Sequence, residues 1–288
     1  MKPALPAILL MTAMMPLASS AQTAALGEEK SSYTLTGNAS LVSDYRFRGL
    51  SQTSEQPAVQ GGVDFNHESG FYLGTWASTV SNHQYPGASI EWDIYGGYKF
   101  TPIEDVGLDL GLIHVAYPGG KSTSTTTTFA SRAGTTTYPD TTEFYIGATY
   151  QWLSVKYNYS LSSSLFGLDK DTAGIACSVT NAADCYSANQ TTRGSGYLDI
   201  NANFEVADKL TLGLHVGHQT VKNYGNYNYS DYKIGLSKDF PDFTLGAAYQ
   251  VTDANSSWWY AQSPGQVGST SRTRIGEGAL VLSISKTF

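Results

Sequence analysis

Side chains in this chain alternate between two chemistries, one residue at a time, in segment after segment. From Ser89 to Phe100, Ile90, Trp92, Ile94, Gly96, Tyr98 and Phe100 interleave with Ser89, Glu91, Asp93, Tyr95, Gly97 and Lys99. A strand turns successive side chains to opposite faces, so a period of two yields one apolar and one polar face. The pattern recurs at Leu108–Leu112, Phe144–Tyr150, Val155–Leu161, Leu198–Val206, Leu210–Val216, Tyr232–Leu236, Phe243–Val251 and Leu280–Ile284. With Tyr33–Arg48, Ala58–Asn66 and Phe71–Val80 it predicts twelve strands. Each is roughly 9–12 residues long, enough for a tilted strand to cross a bilayer.

The polar phase carries ionisable residues on strand after strand, whereas the apolar phase is almost charge-free, with Lys286 as an exception. A charge facing lipid at mid-depth costs about 2–4 kcal/mol, so a membrane barrel requires this segregation. A soluble β-sandwich also alternates, but does not require it. The connections alternate too. Short ones fall at 67–70, 101–105, 151–152, 207–209 and 241–242; long ones fall at 49–57, 81–88, 118–142, 162–195, 221–229 and 252–276. The expected fold is all-β: a closed antiparallel up-and-down transmembrane β-barrel with short periplasmic turns and long extracellular loops.

Composition agrees with this. Charged residues make up 14% of the chain, against about 25% in ordinary soluble domains, while Gly and Tyr number 29 and 20. The formal charge is −7 and no Lys/Arg-rich stretch exists, which excludes a nucleic-acid partner. Lys121–Thr137 and Ser162–Ser195 are too polar to pack a core and are expected to be exposed loops.

Residues 1–21 read as a secretory signal. Lys2 is followed by an apolar run, Ala4–Ala18, interrupted by Pro6 and Pro16, and then by Ser19-Ser20-Ala21, small residues suited to cleavage. The run is too short for a spanning helix. Residues 22–288 are therefore expected to form an exported barrel in the outer membrane of a Gram-negative cell. Cys177 and Cys185 lie close together in a polar loop and are expected to form a disulfide in an oxidising compartment.

With the apolar phase facing lipid, Asp64, Glu91, Asp93, Asp109, Glu143, Asp199, Glu205 and Asp231 point inward, together with Lys99, Lys156 and Lys233. Arg46, Arg48 and Asp44 join them if the first strand keeps its phase. At twelve strands the bore exceeds what side chains fill. These residues are thus the candidate lining of a passive channel for small hydrophilic solutes, and surplus acid predicts cation preference. The other reading is a structural or adhesive barrel with an occluded bore and binding loops. For Tyr45-Arg46-Phe47-Arg48-Gly49, one reading is a basic ladder facing the interior acids. The preferred one is an ion-paired strand end with Gly49 supplying a turn, since interior charge pairs often only fill a bore. Tyr72, Tyr95 and Tyr145 are expected inside; Trp92, Trp152, Trp258 and Trp259 suit interfacial aromatic belts.

No catalytic constellation emerges, and an enzyme is not expected. The histidines are His67, His83, His114, His215 and His218; the last two lie three apart on a strand and so face opposite sides. No serine sits in Gly-x-Ser-x-Gly, and no phosphate loop, dinucleotide fingerprint or metal cluster occurs. Two cysteines without a nearby histidine do not complete a zinc shell. No cofactor or metal is expected.

Several stretches together resemble the TorF family of porins, a proteobacterial outer-membrane family of unknown function. They are GNASLVSDYRFRGLSQT (Gly37–Thr53), PAVQGGVDF (Pro57–Phe65), ESGFYLGTWAS (Glu68–Ser78), SIEWDIYGGYKF (Ser89–Phe100), AYPGG (Ala116–Gly120) and TEFYIGATY (Thr142–Tyr150). The resemblance implies a barrel, an outer-membrane address and a channel role, and it brings no substrate or catalytic residue. The C-terminal strands match by pattern alone, and the Thr-rich and Cys-containing loops depart from the family. The terminal Phe288 resembles the signal read by the barrel-assembly machinery, with Lys286 standing where that signal has an apolar residue and expected to snorkel. The expected partners are outer-membrane lipid and lipopolysaccharide, that machinery, and small hydrophilic solutes.

Overall fold

A computed structural model describes residues 31–123, 136–168, 190–256, 259–262 and 272–288. The proposed signal (1–21), Cys177, Cys185 and Trp258 lie outside the described residues. Twelve strands close into one antiparallel barrel. They are β1 (Tyr33–Val42), β2 (Ala58–His67), β3 (Phe71–Thr79), β4 (Ile90–Ile103), β5 (Val106–Ala116) and β6 (Thr141–Tyr150), then β7 (Leu153–Ser160), β8 (Gly196–Ala207), β9 (Leu210–Thr220), β10 (Tyr229–Asp239), β11 (Thr244–Thr252) and β12 (Ala279–Thr287). Each strand pairs with its sequence neighbours, and β1 closes on β12 with Asn38 opposite Thr287 and Val42 opposite Ser283. Gly37 and Phe288 exchange backbone hydrogen bonds of 3.2 and 2.9 Å at the seam. Closure removes sheet edges, which a lipid environment demands because it offers backbone groups no partners.

The side-chain register is inverted relative to a water-soluble protein. Outward-facing Leu112 and Ile234 are 51% and 53% exposed, while Glu91 and Glu143 in the alternate register are 1% and 2% exposed. A continuous apolar exterior of this extent needs a non-aqueous cover. Lys286 stands outward near the turn end, with Nζ 3.4 Å from Asp242. Small two-stranded ladders (Ser122–Thr123 with Thr136–Thr137, and Tyr260–Gln262 with Arg272–Arg274) and a 3-10 turn at Gly225–Tyr227 decorate the long connections.

The structure departs from the predicted first strand. β1 leaves the wall at Val42 instead of running to Arg48, and residues 43–53 fold into the barrel before the exposed Glu55–Pro57 leads into β2. The cause is local. Ser43 Oγ accepts the Leu282 N–H at 2.9 Å, replacing a backbone partner and ending the ladder with β12. Asp44 then turns inward as a hub: Oδ2 accepts Arg46 Nε at 2.7 Å, and Oδ1 accepts the hydroxyls of Ser51 and Thr53 at 2.6 and 3.1 Å. A minimal hairpin follows, pairing Arg46 with Ser51 and Phe47 with Leu50. Its tip is Arg48-Gly49, at φ +49° and +77°; two successive positive φ values match the tight turn that suits a twisted hairpin. Gly49 is required for space as well, because a Cβ there would lie 2.5 Å from Thr252 Cγ2 and 2.6 Å from Asp231 Cβ.

Trp259 also differs from expectation. It packs edge-on against Tyr227 and Tyr229 and donates Nε1–H to the Tyr227 carbonyl at 3.1 Å, so it belongs to the loop cluster instead of an outer belt. Trp92 and Trp152 do face outward, at 47% and 49% exposure.

Candidate functional site: the barrel lumen

The lumen is asymmetric. On the short-turn side its walls are small and polar and only half-buried, at Asn203, Gly213, Ser237, Gly246 and Ser283. On the long-loop side it is filled by the inward segment and by charged or aromatic wall residues, nearly all buried.

The segment is fastened to several strands at once. Arg48 forms a bidentate pair with Glu143 of β6, with Nη2 2.5 Å from Oε2 and Nη1 3.1 Å from Oε1, and Nη1 also donates to Gln219 Oε1 of β9 at 2.9 Å. Its guanidinium stacks over the rings of Tyr197 and Phe47, at 4.4 and 4.8 Å. Arg46 Nη1 donates to the Gly49 and Glu277 carbonyls at 3.2 and 2.6 Å. Tyr45 donates to Glu91 Oε1 at 2.5 Å, Tyr85 donates to Gln52 Oε1 at 2.5 Å, and Ser51 N–H donates to the Ile275 carbonyl at 2.8 Å. Charges this deep are tolerable only when paired and hydrogen-bonded.

Below the hairpin, on β3 to β6, tyrosines form a floor. The Tyr72 hydroxyl bonds to that of Tyr145 and donates to Asp109 Oδ1 at 2.6 Å; Tyr95 donates to Asp64 Oδ1 at 2.5 Å. These rings lie flat on the wall because glycine stands beneath them: a Cβ at Gly74 would strike Tyr95, and one at Gly111 would strike Tyr145. Lys99 Nζ sits 4.4 Å from the Tyr72 ring centroid and Lys156 Nζ 5.3 Å from that of Tyr145. In register, Lys99 stands opposite Asp109 and Lys156 opposite Asp199. Between hairpin and floor is a cavity of about 50 Å³ bordered by Arg48, Asp93, Glu143, Trp76, Tyr95 and Asn158, among others.

The opposite wall carries a second cluster. His215 lies between two carboxylates, with Nδ1 3.1 Å from Asp199 Oδ1 and Nε2 2.8 Å from Asp231 Oδ1. Asn201 Oδ1 and the Tyr197 hydroxyl approach the same ring at 2.9 and 3.2 Å. Its partners are carboxylates, an amide and a phenol. Lys233 stands in register with His215 on β10.

All but one of the sequence-derived residues thus fall into three places. Arg48, Asp64, Asp93, Lys99, Asp109, Glu143 and Lys156 border the cavity. Arg46 and Glu91 hold the inward segment, and Asp199, Asp231 and Lys233 lie on the His215 side. Glu205 is apart from them: it is exposed at the turn end and accepts the Lys209 N–H at 3.2 Å. Sequence reasoning missed His215, Gln219, Asn158, Tyr197 and Trp76. His215, Asn158 and Trp76 occupy the polar phase of predicted strands, so phase was the available signal; Tyr197 and Gln219 lie just beyond the predicted bounds Leu198–Val206 and Leu210–Val216, on strand ends that the structure extends to Gly196 and Thr220.

A family model described as "Bacterial protein of unknown function (Gcw_chp)" matches residues 26–288. No curated protein matches the chain. Solved structures with a similar backbone include the KdgM porin, at 7% identity and TM-score 0.46, covering 88% of this chain and 98% of that one. The NanC porin aligns at 10% identity and TM-score 0.45, covering 88% and 99%. A porin refined at 1.8 Å aligns at 10% identity and TM-score 0.36, covering 89% and 100%.

Proposed function

We propose that this chain, which belongs to the bacterial family of unknown function Gcw_chp, is an outer-membrane channel for passive diffusion of small hydrophilic solutes. The observation carrying this reading is the enclosed, charged lumen inside an apolar twelve-stranded wall. A barrel that served only as an anchor has no need of so many internal ionisable groups, each expensive to bury. The inward segment 43–53 sets the narrowest point, and Arg48 is its centre. Surplus acid on the wall favours cations, because side-chain charge in a narrow bore sets ion selectivity. The address is the Gram-negative outer membrane, reached after removal of residues 1–21, with Phe288 presented to the assembly machinery.

A second reading is supported by one specific observation: Asp44, Arg46, Arg48 and Ser51 are each at most 5% exposed, so the long-loop half of the bore is filled. On that reading the barrel is a closed scaffold for its loops. Liposome swelling with solutes of graded size separates the two. Uptake that falls with solute radius supports the channel; impermeability to all solutes, in wild type and in Arg48→Ala alike, leaves the scaffold.

A further inference from the structure

Three buried polar atoms without hydrogen-bond partners among the described residues belong to side chains bordering the cavity between the hairpin and the tyrosine floor: Arg48 Nε, Asn158 Nδ2 and Asp93 Oδ1. Their residues are 5%, 4% and 7% exposed. A buried donor or acceptor left unpaired costs about 1–3 kcal/mol, so three on one small cavity point to an occupant that pairs with them. Two are amide or guanidinium nitrogens that donate, and one is a carboxyl oxygen.

Charge narrows the occupant further. Glu143 is held by Arg48, and Asp109 lies opposite Lys99. Asp64 accepts the Tyr95 hydroxyl. Asp93 is the cavity carboxylate with no ion pair or hydrogen bond to its side chain among the described residues, and it shares its strand face with Glu91 two positions away. In its ionised form Asp93 calls for a cation that donates hydrogen bonds. Trp76 and Tyr95 also border the cavity, and aromatic rings are good neighbours for an ammonium group. Arg48 Nε and Asn158 Nδ2 in turn ask for an oxygen acceptor.

We propose that this cavity is a binding site for a small solute bearing an ammonium group and an oxygen acceptor a few bonds apart, with the ammonium on Asp93 and the oxygen on Arg48 and Asn158. Amino alcohols and small amino acids share that chemistry. The proposal deepens the channel reading by naming a solute class for the same lumen, and it rests on that reading for its physiological meaning.

The test is a saturation-transfer NMR titration of the folded, detergent-solubilised chain with ethanolamine, glycine, glycolate and ethylene glycol. Ethanolamine and glycine are expected to bind at least tenfold more tightly than ethylene glycol and glycolate, and Asp93→Asn is expected to weaken the two ammonium probes about tenfold. Asn158→Leu should weaken both to a smaller degree. Glycine binding above ethanolamine identifies a carboxylate as the acceptor for Arg48 and Asn158; the reverse order identifies a hydroxyl. Equal binding of ethanolamine and ethylene glycol, or undiminished binding in Asp93→Asn, overturns the proposal and leaves water as the occupant. Because the titration needs no conduction, the two readings fail separately. A chain that conducts in bilayers but does not discriminate ammonium loses the site, and one that discriminates but never conducts loses the channel.

Discussion

Arg48 and Glu143 meet across the lumen in a two-pronged ion pair, with Nη2 2.5 Å from Oε2, although one sits on the inward hairpin and the other on β6. Both side chains are 3% exposed. The pair also holds Arg48 in a left-handed backbone conformation (φ +49°) that a non-glycine residue does not favour. The hairpin thus depends on a contact that its own sequence cannot supply.

Removing one partner leaves the other buried and uncompensated. Arg48→Ala is expected to lower unfolding free energy by about 3–5 kcal/mol, and Arg48→Ala/Glu143→Ala to restore most of that loss. Denaturant titration in detergent reads the stability. In planar bilayers the single substitution is expected to raise unitary conductance by loosening the constriction, whereas unchanged conductance would remove the segment from the solute path.

The tyrosine floor needs glycine beneath it. Gly111→Val is expected to destabilise the barrel by about 1–3 kcal/mol, because the new side chain strikes the Tyr145 ring and lies 2.8 Å from the Gly96 carbonyl at its Cβ. Gly225→Ala, where a Cβ meets nothing nearer than 4.0 Å, is expected to stay within about 0.5 kcal/mol of wild type. The temperature at which the folded band disappears from unboiled gels compares the two.

The inverted register predicts opposite tolerance on the two faces. Ile146→Arg places a charge on the outward face in the middle of β6 and is expected to cost about 2–4 kcal/mol of folding into vesicles. Ser237→Arg, on the half-buried lumenal face near the turn end of β10, is expected to cost well under 1 kcal/mol. Similar losses at both sites would contradict a lipid-covered exterior.

For the channel reading, a salt gradient across a bilayer is expected to give a reversal potential indicating cation preference. Asp109→Asn combined with Asp64→Asn should shift that potential toward the anion side, since both carboxylates border the cavity. Anion preference in the wild-type channel removes the selectivity proposal while leaving the pore.

Alternation with period two was enough, on its own, to determine the wall. Ile90–Phe100 and its repeats specify which residues face lipid and which face inward, because a strand admits no other periodicity and charge cannot be left in hydrocarbon. The short and long connections determined the meander for the same reason of local geometry. What happens inside the wall was decided by tertiary structure. Nothing in the run from Ser43 to Gly49 marks the point where the chain leaves β1, since Arg46 and Arg48 also fit the inward phase of a continuing strand. The departure depends on Ser43 meeting Leu282 on a strand at the far end of the sequence, and on Glu143 and Gln219 receiving Arg48. His215 became a buried bridge between Asp199 and Asp231 only when three neighbouring strands were set in register. Periodicity is a property of neighbouring residues and is written locally. A filled lumen is a property of residues brought together by closure, and no stretch of sequence carries it alone.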